Sequence, residues 1–117
     1  MAAPNIVSVA TITGKTAVLP VPATATMIVQ NTAASGKVFK INALYISNID
    51  GTNNADITVD IFRSSVAYRI AFTIAVPADA SLDVLSKSIY LEEGDQLRLT
   101  ASTALRLEAV CSYEEIS

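Results

Sequence analysis

The stretch Tyr68–Val76 decides the fold, with the sequence Tyr-Arg-Ile-Ala-Phe-Thr-Ile-Ala-Val. Large apolar side chains occupy every second position, and smaller or polar side chains lie between them. A repeat of two residues is typical of a β-strand with one buried face and one wetter face. The pattern therefore predicts a strand that directs Tyr68, Phe72 and the other large apolar side chains into a core.

The same repeat of two recurs on both sides of this stretch, at Ile57–Ile61, Leu97–Leu99 and Leu105–Tyr113. Residues typical of turns separate the repeats at 48–54, 63–65, 77–80 and 92–95. Short strands with such turns between them indicate an all-β, antiparallel β-sandwich of the jelly-roll type, in a single domain.

The stretch Phe39–Ile49 departs from clean alternation, because it is apolar on both faces. A strand that is apolar on both faces is expected to be covered on both. The second cover would come from the N-terminal segment or from another subunit, which makes Val38, Leu44 and Ile46 candidate interface residues. Phe62 and Tyr90 each break the local alternation and are candidate interface anchors as well.

Residues 1–36 contain a single charged side chain, that of Lys15. A flexible, solvated linker would be polar or charged, so this segment is expected to lie against protein. We predict that residues 1–36 form an arm or edge strands, which pack on the core or on a neighbouring subunit. Residues 37–117 would then form the sandwich core.

The composition excludes several classes of function. There is no histidine and Cys111 is the sole cysteine, which excludes Ser-His and Cys-His catalytic pairs, paired-cysteine metal sites and disulfides. The net charge of −3, with basic residues scattered, argues against nucleic-acid binding. We predict no enzymatic activity, no cofactor and no metal.

The composition predicts a surface with few charged residues, since only 16% of the residues are charged whereas 51% are hydrophobic. Part of the apolar surface is therefore expected to be covered by another chain. No segment has the ~18 consecutive apolar residues of a membrane span, and the N-terminus lacks the pattern of a signal peptide. We expect no membrane partner, and synthesis in a cytoplasm.

Three features could carry chemistry, and each has a structural explanation. The carboxylates of Glu92, Glu93 and Asp95 could act as acid and base, but Gly94 among them indicates a solvated turn. The loop Asp50–Asp56 has oxygen ligands for calcium but lacks the EF-hand pattern, and its composition also fits a turn. Cys111 has no histidine to activate it, so a small core residue is expected there.

Four stretches resemble small virion structural proteins of tailed bacteriophages, particularly those of cyanobacteria. They are Ala3–Val7, Gly36–Asn42, Ile46–Gly51 and Ile89–Asp95. The resemblance implies a β-sandwich subunit attached to a virion, most specifically a capsid decoration (cement) protein that bridges neighbouring subunits. It carries over no catalytic residue.

Other functions stay open beside the decoration protein. The chain could be a neck or tail adaptor, or a fibre-associated module that binds a carbohydrate or receptor through loops such as Asp50–Asp56. The expected partners are further copies of the chain, in a homo-oligomer with a trimer as the first expectation, and a major capsid, neck or tail protein.

Overall fold

The computed structural model describes residues 4–117, so Met1, Ala2 and Ala3 of the predicted N-terminal segment lie outside the described residues. All regular elements in the described part are strands, and no helix there is long and apolar enough to span a membrane. The strands are β1 (Ile12–Pro20), β2 (Thr26–Gln30), β3 (Val38–Asn48), β4 (Ala55–Arg63), β5 (Val66–Val76), β6 (Ser81–Asp83), β7 (Ile89–Leu91), β8 (Gln96–Ala101) and β9 (Leu107–Ile116).

The strands form two antiparallel sheets. Sheet A has the order β1-β9-β3-β6, with β7 also paired to β3, and sheet B has the order β2-β8-β4-β5. One edge of β3 is taken by β9, so β6 and β7 share the other edge as two halves of one broken strand. When β6 and β7 are counted as one strand, the two sheets have the strand order of a jelly roll. The predicted antiparallel sandwich is confirmed.

The core lies between the sheets and is almost entirely aliphatic. Its fully buried members include Ile41, Leu44, Ile46, Ile57, Val59, Leu91, Leu97, Leu99 and Leu107. Cys111 is also completely buried, as expected for a small core residue. Burial of each large aliphatic side chain stabilises the fold by about 1.5–3 kcal/mol before the loss of conformational entropy is subtracted.

A β-bulge in β3 corrects the interpretation of its two apolar faces. The register against β9 shifts between Ile41 and Ala43, which leaves Asn42 as the extra residue. An extra residue reverses which positions face the core. Before the bulge Ile41 is buried, whereas after it Leu44 is buried and the odd-numbered Tyr45 is 47% exposed. Leu44 and Ile46 therefore pack into the same core as Phe39 and Ile41, and they need no second cover.

The strand predicted from Tyr68–Val76 exists as β5, but of the large apolar side chains expected to be buried only Val76 is. β5 is the edge strand of sheet B, so it has a neighbour on one side only. Two register shifts against β4 interrupt its alternation, and Thr73 has a positive φ of 49°. Consequently Tyr68 and Phe72 are about 60% exposed, while Ala71 and Val76 face the core.

The uncharged N-terminal third contributes an edge strand to each sheet, β1 beside β9 and β2 beside β8. Glu115 of β9 holds β1 in place, because its carboxylate pairs with Lys15 at 2.9 Å and with Lys37 at 3.1 Å. Residues 4–9 precede this region, and Ile6 and Val7 among them are exposed.

The turns lie where the composition predicts them. Ser64 and Ser65 join β4 to β5 with φ of 52° and 61°, and two positive φ angles in succession define a type I′ hairpin turn. Gly94, in the turn that precedes β8, has a φ of 91°, which a residue with a side chain rarely adopts.

Candidate assembly surfaces

The structure separates the five predicted interface residues into two groups. Leu44 and Ile46 have no exposed surface and Val38 is 7% exposed, so these three pack within their own chain and cannot reach another subunit while the domain is folded. The bulge at Asn42 is the reason for Leu44 and Ile46, whereas Val38 precedes the bulge and pairs with the buried Ile116 of β9. Tyr90 is 41% exposed, and Phe62 is half-buried beneath the guanidinium of Arg98, 4.0 Å from its ring centroid.

Sheet A carries an apolar row on its outer face. Val18, Val110 and Tyr45 are neighbours across β1, β9 and β3, and they are 71%, 39% and 47% exposed. The next row contains the exposed Glu108, between Pro20 and Ser47. We call Val18, Tyr45, Val110 and Glu108 the sheet A patch. Its side chains all point away from the core, because the residues on either side of Val110 and of Tyr45 in the chain are buried.

The edge of sheet B formed by β5 is apolar on both faces of the strand. Tyr68 and Ile74 pair with the core-facing Ile61 and Ile57, whereas Phe72 lies on the outer face beside Arg69. Five large side chains there are 37–61% exposed, namely Val66, Tyr68, Ile70, Phe72 and Ile74. We call these five residues the β5 patch. Soluble monomers rarely expose large contiguous apolar areas, and such areas mark sites of interaction with other molecules. A long apolar edge strand is in addition a site at which chains associate.

The charges beside the β5 patch are unevenly paired. Asp60 is only 4% exposed, and Arg98 donates hydrogen bonds from Nε to its Oδ1 at 2.9 Å and from Nη2 to its Oδ2 at 3.4 Å. Arg69 lies opposite Asp60 in the register, but its guanidinium lies 5.1 Å from the centroid of the Phe72 ring instead. Since Arg98 already neutralises Asp60, Arg69 leaves a net positive charge at this edge.

The predicted carboxylate turn has a structural role and is not fully solvated. Asp95 is 1% exposed and receives two hydrogen bonds from Arg63, which also pairs with Glu92 at 2.9 Å. Glu93 accepts a hydrogen bond from the backbone N–H of Gly36 at 3.0 Å. These contacts join three loops at one end of the sandwich. The expectation that all three acids are exposed to water is therefore wrong for Asp95.

The carboxylate of Asp50 stabilises the loop Asp50–Asp56 through hydrogen bonds within the loop. Asp50 accepts hydrogen bonds from the backbone N–H groups of Thr52 and Asn53 at 2.8 and 3.0 Å, and it pairs with Arg106 at 3.3 Å. The backbone hydrogen bonds are the main cause that lowers the pKa of Asp50. Among residues 4–117 no group of three His, Cys, Asp or Glu side chains is arranged to hold a metal ion.

The cavities of the domain are small and open. One of about 250 Å³ lies beside Val18, Pro20 and Val110, and one of about 270 Å³ lies between Ile61, Arg63 and Tyr68. Typical small-molecule sites measure roughly 300–1,000 Å³. The first depression adjoins the sheet A patch, and the second adjoins the β5 patch. Each depression therefore makes one of the two exposed apolar surfaces uneven.

The residues of the two patches were missed because the sequence pattern assigned them to the core. Tyr45, Tyr68 and Phe72 occupy alternating positions within apolar runs, which favours burial. Arg69 in the middle of the run gave no signal of this exposure, because it falls on the predicted wetter face of the strand.

Comparison with known proteins yields matches of structure alone. No protein-family model and no curated protein matches the chain. A structure reported as a subunit of the Bacillus endospore appendages, a family of disulfide-linked pili, matches with a TM-score of 0.55 at 18% identity, over 92% of this chain and 88% of that one. A pentameric capsid protein from metagenomic phage sequences matches with a TM-score of 0.45 at 19% identity, over 86% of this chain and 60% of that one.

A third similar structure is the nucleoplasmin-like N-terminal domain of Drosophila FKBP39, with a TM-score of 0.43 at 14% identity, over 87% of this chain and 85% of that one. Structural neighbours of this chain thus include pilus and phage capsid proteins. At these identities the likeness concerns the fold alone.

Proposed function

We propose that this chain is a structural protein of a phage virion, most specifically a decoration subunit that stabilises the capsid by bridging neighbouring subunits. The observation that carries the proposal is the exposure of large apolar side chains on both sheets, in the sheet A patch and in the β5 patch. A subunit embedded in a lattice needs apolar contact areas with few charges at their centre. The resemblance of four stretches to virion proteins of tailed phages supports the same class.

Stabilisation by such a subunit follows from mass action. A protein that binds only the assembled shell lowers the free energy of that shell relative to its separated parts. Residues 4–9, with the exposed Ile6 and Val7, are proposed as the arm that contacts a neighbour. Residues 12–20 and 26–30 are strands of the sandwich, so a deletion that reaches residue 36 would test folding and not assembly.

Virions of the phage that encodes the chain provide the test. We expect virions without the chain to release their DNA at a lower temperature, and purified chain to restore the wild-type value when it is added back. A Tyr68→Ser/Phe72→Ser variant should fail to restore it. Leu105→Ser is the matched control, because Leu105 is 90% exposed but lies in neither patch. Virions that neither contain the chain nor change in stability would contradict the proposal.

The exposed aromatic rings of Tyr68 and Phe72 also favour a second candidate, a fibre-associated module that binds carbohydrate. Aromatic faces that are open to solvent can stack on apolar faces of a ligand. A glycan array separates the candidates, since binding of a glycan that Tyr68→Ser abolishes would favour the module. Cryo-electron microscopy of the virion would distinguish a decoration protein from a neck or tail adaptor by its position.

A further inference from the structure

The two patches have opposite charges that lack a partner within the chain. In the part of the chain that the structure describes, no carboxylate lies within ion-pair distance of Arg69 and no cation lies within that distance of Glu108. Both side chains are exposed. Arg69 lies beside Phe72 of the β5 patch on the outer face of sheet B, and Glu108 lies one row from Val18 and Val110.

We propose that the β5 patch of one copy of this chain packs against the sheet A patch of a second copy, with Arg69 of the first facing Glu108 of the second. Phe72 would be the central anchor of this contact, because it lies on the same face as Arg69 and aromatic side chains dominate the binding free energy of protein interfaces. The contact rests on the proposed function and extends it by naming the partner as a second copy of the chain.

Charge complementarity is the reason for choosing a second copy. One chain contains both halves of the match, an apolar patch with a free positive charge and an apolar patch with a free negative charge. Complementary charges at the margin of an apolar contact steer association and fix the orientation of the two partners. A symmetric contact between two β5 patches would instead place two arginines in one interface and leave Glu108 without a partner.

The backbone of β5 indicates that side chains, and not added strand pairing, make the contact. The two register shifts against β4 and the positive φ of Thr73 distort the free edge. Bulges at edge strands hinder the regular addition of another strand. The bulges also divide the exposed side chains between the two faces of sheet B. Tyr68 pairs with the core-facing Ile61, whereas Phe72 lies beside Arg69 on the outer face.

A contact between two different surfaces has a consequence for assembly. After two copies bind, one of them still offers its sheet A patch and the other its β5 patch, so copies add head to tail until a ring closes or a filament grows. A ring of this type would present the loops at the ends of the sandwich in a regular array.

Charge reversal tests the contact directly. The variants are Arg69→Glu, Glu108→Arg and the combination of both, compared by sedimentation velocity over a range of concentrations. We expect each single reversal to weaken self-association at least tenfold, and the combination to recover most of it. Glu114→Arg is the matched control, because Glu114 lies on the same face of β9 about 20 Å from Glu108. Thermal unfolding verifies that every variant is folded.

Each outcome has a definite meaning. Loss in both single variants and recovery in the combination would establish the Arg69–Glu108 contact. If Glu108→Arg has no effect on a self-associating wild-type chain, the contact is overturned, while the proposed function stands or falls with the virion experiment. A wild-type chain that stays monomeric at about 1 mM, where even a weak complex would form, also overturns the contact. Absence of the chain from virions would overturn the proposed function separately.

Discussion

Arg63 donates two hydrogen bonds to the buried carboxylate of Asp95, from Nε to Oδ1 at 2.7 Å and from Nη2 to Oδ2. Asp95 also accepts a hydrogen bond from the backbone N–H of Glu92 at 2.8 Å. Arg63 ends β4 and Asp95 immediately precedes β8, so the pair connects the β4–β5 hairpin to the turn between β7 and β8. Bidentate pairing of an arginine with a carboxylate combines charge with fixed geometry.

The pair is expected to respond unequally to the loss of either partner. Arg63→Ala leaves a carboxylate that is 1% exposed without its cation, and we expect a loss of about 3 kcal/mol of unfolding free energy. Asp95→Asn leaves an arginine whose side chain is 45% exposed and can be hydrated, so about 1–2 kcal/mol is expected. Equilibrium unfolding in urea measures the loss of unfolding free energy in each of these two variants. Arg69→Ala, at an exposed arginine, should change stability by less than about 0.5 kcal/mol. A larger loss for Asp95→Asn than for Arg63→Ala would contradict this account.

The bulge in β3 predicts opposite behaviour for two adjacent residues. Leu44 is completely buried, so Leu44→Ala should lower the unfolding free energy by about 2–5 kcal/mol through lost burial and a cavity. Tyr45 is 47% exposed on the opposite face, and Tyr45→Ala should lower it by less than about 1 kcal/mol. Equilibrium unfolding in urea compares the two. If Tyr45→Ala lowered the unfolding free energy more than Leu44→Ala, the assignment of which β3 side chains face the core after Asn42 would be wrong.

The ion pairs of Glu115 make part of the stability depend on pH. A hydrogen bond from Lys15 is the main cause that lowers the pKa of Glu115, and Lys37 contributes as well. A carboxylate whose pKa is lowered by folding stabilises the protein above its unfolded pKa, and this contribution is lost as the pH falls through the lowered value.

We therefore expect Glu115→Gln to destabilise the protein by about 0.5–1 kcal/mol near pH 7, a small value because both lysines are nearly half exposed. The difference from wild type should shrink as the buffer is made acidic. Thermal unfolding from neutral to acidic pH measures it. Asp56→Asn is the matched control, because the Asp56 carboxylate makes no ion pair within the described residues 4–117. A difference that grows on acidification would reverse the sign and exclude this explanation.

Cys111 is expected to be inert while the domain is folded. Burial raises the pKa of its thiol to about 12, so the thiolate that reacts with labelling reagents is scarce at pH 8. We expect labelling by Ellman's reagent only in denaturant. Leu105→Cys provides the control, since Leu105 is 90% exposed and lies in neither patch. That variant should take up one label rapidly when native and two when unfolded. Rapid labelling of the native wild-type chain would contradict the placement of Cys111.

Much of the architecture could be predicted from residue patterns. The repeat of two at Leu97–Leu99 and at Leu105–Tyr113 correctly indicates strands with a buried face, except at Leu105, which is 90% exposed and precedes β9. Turn residues correctly mark the hairpin at Ser64–Ser65. The interface was harder to predict, because Leu44 and Ile46 look like surplus apolar residues until the bulge is known.

The sequence by itself determined the class of object, an all-β sandwich without histidine chemistry or disulfides and with few charges for its surface. Alternation indicates that the two faces of a strand differ, which is enough to establish the sheets. Tertiary structure decided which strand lies at an edge of its sheet, and where a bulge reverses which side chains of a strand face the core. Those two facts place Tyr68 and Phe72 in solvent and Leu44 in the core. The physical reason is that strand neighbours and bulges depend on pairing between distant residues, whereas alternation is local.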